Sequence, residues 1–176
     1  MADQPEAFDE GPKWPLWSAR SSRVLAIALV TLVLDQLSKL WVLFSLNLIE
    51  GDKLTIAPFV DILLVWNRGI SYGLFQQHSD WGRWLLVAFG LIACIVVWIW
   101  VNRAGSLWFL WGAALIIGGG LGNSIDRIAY GAVVDFVSLH AYGFYWYVFN
   151  IADIAIVAGF LLLLYDMFIS GKEKPS

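Results

Sequence analysis

From Trp84 to Val101 the chain runs without a single charged residue, and that run constrains what it can fold into. Its length falls within the roughly 17–25 residues with which a helix crosses a bilayer. Three further apolar stretches approach the same length: Val24 to Phe44, Leu107 to about Ile125, and Ile151 to Phe168. Within a bilayer every backbone N–H and C=O must be satisfied inside the protein, so such stretches become helices. The composition agrees, with 60% hydrophobic and only 14% charged residues, against about a quarter charged in soluble domains. The 11 Trp suit membrane–water boundaries, where an apolar ring with one N–H is at home. A net charge of −3 and the lack of a basic stripe argue against a nucleic-acid partner. The expected fold class is a membrane all-α protein with four transmembrane helices and a small β component.

The segments between the spans have their own signals. Residues 1–22 are polar, acidic and punctuated by Pro5, Pro12 and Pro15, and read as a disordered N-terminal extension. Residues 23–169 form the four-span domain, and 170–176 a loose polar tail. Residues 47–80 alternate short apolar runs with Gly51, Pro58 and Gly69, the pattern of short strands and turns outside the membrane core. Within them Asn67 and Arg68 precede Gly69, which reads as a hairpin turn or as a turn presenting Asn67 to a site. Gly112, Gly118, Gly119, Gly120 and Gly122 give the third span a small-residue face for close helix approach. Residues 128–149 are apolar and aromatic but broken by Gly131, Asp135, His140 and Gly143; they read as an interfacial segment, partly helical, lying on the bilayer.

Four spans place both termini on one side. Arg20 and Arg23 before the first span and Arg103 in a tight loop place that side in the cytoplasm. Both polar connections then share the outer face.

Ionisable groups in or at a bilayer are costly, so each is a candidate functional residue. Asp35 and Lys39 share a helix face at i and i+4, as a snorkelling pair or as support for a site. Ser38 and Lys39 do not suit a Ser/Lys protease, because adjacent helical residues point about 100° apart. Asn123 lies at i, i+3 and i+4 from Asp126 and Arg127, and the latter two read as a helix-end ion pair or as chemical groups. Asn150 and Asp153 have N-cap and N3 spacing, which is also a rigid mount for a carboxylate. Asp135 and Asp153 fall on the same membrane face, on separate elements. Two carboxylates sharing a site cannot both ionise easily, so the pair holds a proton. The ionised member activates a water and the protonated one polarises a carbonyl. Cys94 is alone in an apolar run, and His78 and His140 lack ligand spacing, so neither a metal nor a cofactor is expected. A proton or ion relay using the same acids is the second reading, although a relay wants its acids staggered in depth.

LDQLSK at 34–39, WNRGISYGLF at 66–75, GGGLGNSIDR at 118–127, GAVVDF at 131–136 and FNIAD at 149–153 together resemble the ordered motifs of the lipoprotein signal peptidase (signal peptidase II) family. The resemblance implies an aspartyl endopeptidase of the bacterial inner membrane that removes signal peptides from diacylglyceryl-modified prolipoproteins. It implies four transmembrane helices with a small extracytoplasmic β-cradle and an interfacial helix. The catalytic pair then falls on Asp135 and Asp153, and the supporting residues on Asp35, Lys39, Asn67, Gly69, Asn123, Arg127 and Asn150. The implied partners are the lipid-modified substrate and membrane lipids, with the enzyme acting as a monomer.

Overall fold

The computed structural model describes residues 17–69, 80–101 and 106–170. The expected extension up to residue 16, the tail beyond 170, Arg103 and His78 lie outside the described residues. Four helices are long and apolar enough to cross a membrane. They are α1 (Ala19–Leu40), which continues as a π-helical turn over Trp41–Ser45, α2 (Asp80–Val101), α3 (Leu107–Tyr130) and α4 (Ile151–Ser170). The four strands are β1 (Lys53–Ala57), β2 (Val60–Asn67), β3 (Val133–Ala141) and β4 (Phe144–Tyr145).

Helices α1 and α3 run further than their apolar patterns suggest, and capping explains both. Ser18 accepts from the Arg20 and Ser21 amides while Ser21 Oγ accepts from the Ser18 amide, so α1 starts at Ala19 rather than near Val24. The third helix ends at Tyr130 because Gly131, with φ of 79°, takes the left-handed C-cap position and donates to the Arg127 carbonyl.

Helix α3 is the axis of the bundle. Its glycines let neighbouring backbones close in. A Cβ on Gly112 would lie 2.8 Å from the Gly159 carbonyl oxygen of α4, and one on Gly159 2.7 Å from the Gly112 oxygen. On another side of the helix a Cβ on Gly118 would lie 2.6 Å from the Ala28 oxygen of α1. Without a hydrophobic drive between helices in lipid, such contact is the main source of association. Outward-facing Leu85, Phe89, Ile92 and Ile95 of α2 are exposed, as a lipid-facing surface requires.

The sheet is antiparallel in the order β1-β2-β3-β4. This corrects the expectation for residues 128–149: beyond the end of α3 they carry the strands Val133–Ala141 and Phe144–Tyr145, with a turn and loop, rather than an interfacial helix. Among the described residues no helix other than the four spans and the turn at Trp41–Ser45 is present. The reason is long-range. Val133, Val134, Phe136 and Val137 favour a pleated surface, and β2 offers them an unpaired edge, with Asn67 opposite Val133 and Val65 opposite Asp135. Beneath the sheet, Val42, Ile62, Leu64, Val134 and Phe136 form its own apolar core.

One polar cluster knits the far end of the sheet. Asp61 is fully buried, accepts from the Thr55 hydroxyl at 2.7 Å, and lies 3.2 Å from both Lys53 Nζ and His140 Nε2. His140 also stacks on Tyr145 with ring centroids 5.1 Å apart.

Candidate active site

Asp135 stands on β3, two residues from the strand partner of Asn67, so the two side chains share a face. Asn67 Nδ2 donates to Asp135 Oδ2 at 3.0 Å, and Asn150 Nδ2 donates to Asp135 Oδ1 at 2.7 Å. The carboxyl is 1% exposed. Burial, reinforced by the negative charge of Asp153, pushes its pKa up to about 7, against the opposing pull of the two amide donors.

Asp153 lies in the first turn of α4, and the capping arrangement is real. The Asp153 amide donates to Asn150 Oδ1 at 2.9 Å, and the Asn150 amide donates to Asp153 Oδ2 at 3.2 Å. This uses only one carboxylate oxygen. Oδ1 accepts from Asn123 Nδ2 at 2.9 Å. Cap and site are therefore the same structure: the box fixes the rotamer and leaves the second oxygen aimed at α3. Asn150 joins the two acids, capping one with its backbone and side-chain oxygen and holding the other with its amide.

The remaining expected residues converge on these two. Lys39, 2% exposed, donates to Asp35 Oδ2 at 2.8 Å and Asn123 Oδ1 at 3.1 Å, and pairs with Asp126 at 2.8 Å. Asn123 Oδ1 thus faces two donors, Lys39 and Asn150, which turns its amide nitrogen toward Asp153. The other Asp35 oxygen accepts from the Ala152 amide at 2.9 Å and so ties α1 to the start of α4. Arg127 reaches the Gly69 carbonyl at 2.9 Å and the Asn123 carbonyl at 3.3 Å, while the Gly69 amide closes a turn on Asn67 Oδ1 at 3.0 Å.

The Asp126–Arg127 ion pair does not form. Adjacent helical residues diverge by about 100°, and here Arg127 turns to Gly69 while Asp126 turns to Lys39 and the Val134 amide. Asp126 and Gln36 are the members that sequence reasoning left out of the site. Gln36 Nε2 donates to Asp126 Oδ1 at 3.0 Å and to Asp35 Oδ2 at 3.2 Å. Its signal was an amide beside Asp35 in an apolar helix.

All amide donors to the two carboxylates are neutral. An adjacent cation would lower a carboxyl pKa by about 1–3 units, yet Lys39 and Arg127 both hydrogen-bond to Asn123 instead. The acids are oriented without being neutralised. Where Asp35 and Asp126 converge, the cation present is the Lys39 ammonium, and among the described residues no group of three or more His, Cys, Asp or Glu is arranged to hold a metal.

A cavity of about 290 Å³ opens between α2, α3 and α4. Asn67, Arg127 and Asp153 line its polar end, and Cys94 and Ile116 its apolar end. Asp135 does not line the cavity; it sits behind Asn67, which donates to it. From Arg127 to Ile116 the cavity follows about 16 Å of helix, roughly one leaflet of the hydrocarbon core.

Four apolar helices around an amide-held carboxylate pair, Asp135 buried and Asp153 half-buried, define a multi-pass membrane protein equipped for acid–base chemistry. The chain belongs to the signal peptidase II family, whose profile, described as "Signal peptidase (SPase) II", matches residues 27–169. It is 53% identical over 152 residues to the lipoprotein signal peptidase of Methylorubrum extorquens (strain PA1), covering 86% of this chain and 89% of that one. It is 54% identical over 151 residues to the protein of the same name from Methylobacterium radiotolerans, covering 86% and 88%. The fold matches a bacterial membrane enzyme solved by the in meso method at 2.3 Å, with a TM-score of 0.77 at 24% identity over 88% of this chain and 93% of that one.

Proposed function

We propose that this aspartic endopeptidase cleaves the signal peptide from diacylglyceryl-modified prolipoproteins at the outer face of the bacterial inner membrane, with Asp135 and Asp153 as its catalytic pair. Family membership supports the reaction. The observation that carries the residue assignment is the Asn150 bridge, which holds buried Asp135 beside half-buried Asp153, the latter lining the polar end of the cavity.

The pKa of about 7 at Asp135 makes it the member that holds the shared proton near neutrality. Asp153, ionised, takes a proton from a water as that water attacks the scissile carbonyl carbon. Asp135 gives its proton to the carbonyl oxygen, forming a gem-diol. On collapse, Asp153 delivers the acquired proton to the leaving amide nitrogen, the C–N bond breaks, and Asp135 recovers its proton from a diol hydroxyl. The pair ends as it began. Asn67, Asn123 and Asn150 act by orientation, each donating to a carboxylate oxygen. The apolar end of the cavity suits the lipid of the substrate, leaving the peptide bond beside the acids at the polar end.

In this reading the enzyme works as a monomer in contact with membrane lipids, with both termini in the cytoplasm. Arg20 and Arg23 before α1 support that orientation. A relay is disfavoured, because the acids gather at one end of the bundle rather than through its depth. The test is a gel-shift assay on a diacylglyceryl-modified prolipoprotein. Wild-type protein yields the shortened product, and Asp135→Asn yields none; cleavage by that variant at the wild-type rate contradicts the assignment.

A further inference from the structure

Asp126 is a buried acid that the mechanism above does not use. It lies in the last turns of α3 and satisfies three groups on two other elements. Its Oδ2 accepts from the Val134 backbone amide at 3.1 Å and is 2.8 Å from Lys39 Nζ, and its Oδ1 accepts from Gln36 Nε2 at 3.0 Å. Val134 directly precedes Asp135, and its carbonyl accepts from Asn150 Nδ2 at 3.4 Å. The peptide groups flanking Val134 are therefore held on one side by Asp126 and on the other by Asn150.

The same acid also governs the other half of the pair. Lys39 spends its three N–H donors on Asp35, Asp126 and Asn123, and Asn123 in turn donates to Asp153. Asp126 reaches Asp135 through the strand backbone and Asp153 through Lys39 and Asn123.

We infer that Asp126 is a positioning residue for peptide cleavage, setting the spacing and the charge balance of the carboxylate pair from α3. This rests on Asp135 and Asp153 being that pair. Two effects are separable. The hydrogen bond to Val134 fixes where Asp135 sits on β3. The charge is the second of the two that offset Lys39, the other being Asp35, and without it the ammonium is only half as well compensated by contact carboxylates. The charged and titratable groups around Asp126 are Lys39 and Asp35 from α1, Asp135 from β3, Asp153 from α4, its neighbour Arg127, and Arg83 of α2, which lies against Gly131 at the end of α3. Removing the one negative charge leaves the cluster more positive, which favours the doubly ionised pair and strips its shared proton at lower pH.

The experiment compares wild-type, Asp126→Asn, Asp126→Glu and Asp135→Asn proteins, each purified in detergent and matched for folded amount by thermal melting, on a synthetic lipidated precursor peptide. Asp126→Asn is expected to lose about 10–100-fold in kcat, the scale of a misplaced reacting group, with KM unchanged and the alkaline limb of the pH profile moved to lower pH. Asp126→Glu keeps the charge but, one methylene longer, displaces the carboxylate from the Val134 amide, so kcat falls while the limb stays. If Asp126→Asn does not accumulate as folded protein, Asp126→Glu carries the test alone. Wild-type kcat in a folded variant, or a rise in KM with kcat intact, overturns the inference. If Asp135→Asn is also active, the catalytic pair itself is wrong, so the two failures are distinguishable.

Discussion

Asn150 donates its side-chain amide to Asp135 at 2.7 Å, and this one contact ties the start of a membrane helix to the middle of a strand. The same asparagine caps α4 by accepting from the Asp153 amide. Replacing it with Ala removes both. We expect Asn150→Ala to lower kcat by at least tenfold and to cost about 1 kcal/mol through the lost cap. Steady-state kinetics and thermal melting in detergent report the two effects separately.

The raised pKa of Asp135 sets the pH response. With a value of about 7 against an ordinary 3.8, the folded protein holds this proton more tightly than the unfolded chain does. The stability it contributes is complete below pH 3.8 and is lost as pH rises through 7. Activity follows the same proton: kcat falls as pH rises past 7, and an Asp135→Glu variant that retains any activity shows a displaced limb. A pH profile flat from 6 to 9 contradicts the shared-proton mechanism.

Close helix contact makes its own prediction. A Cβ at position 118 meets the Ala28 oxygen at 2.6 Å and Thr31 Cβ at 2.7 Å, and backbone cannot rotate away as a side chain can. Gly118→Val is expected to destabilise the bundle by about 1–3 kcal/mol. The variant's melting temperature in detergent checks this.

Arg127 bridges two carbonyls, of Gly69 and Asn123, with two different nitrogens. A lysine lacks the planar fork that places two nitrogens on these two carbonyls at once, and its ammonium is a single point at the end of a shorter stem. Losing one charge-assisted hydrogen bond costs about 1.5–3 kcal/mol, so Arg127→Lys is expected to reduce kcat/KM by tenfold or more at unchanged expression.

Much of this architecture was legible because its signals are local. Apolar run length marked the four spans, and Asn150-Ile-Ala-Asp153 already carried its capping spacing. The strand β3 was not legible, because what makes Val133–Ala141 a strand is the free edge of β2, a partner distant in sequence. The roles of Asp126 and Gln36 escaped for the same reason. Beside Arg127, Asp126 reads equally as half of an ion pair or as a chemical group, and only the fold brings Lys39 to within 2.8 Å of it. The cluster of Asp61 with Lys53, Thr55 and His140 likewise joins three strands. Its acid is held below the usual carboxylate range, chiefly by the Thr55 hydroxyl with help from Lys53 and His140. Local spacing therefore reported the elements, whereas the hydrogen-bond partners across elements depended on the fold.

The central claim is that Asp135 and Asp153 together cleave the substrate. The most direct measurement is the cleavage rate of a diacylglyceryl-modified prolipoprotein by Asp135→Asn and by Asp153→Asn, each shown to be folded by its melting transition. The account predicts that each variant falls to background cleavage while remaining folded. Substantial cleavage by either one contradicts it.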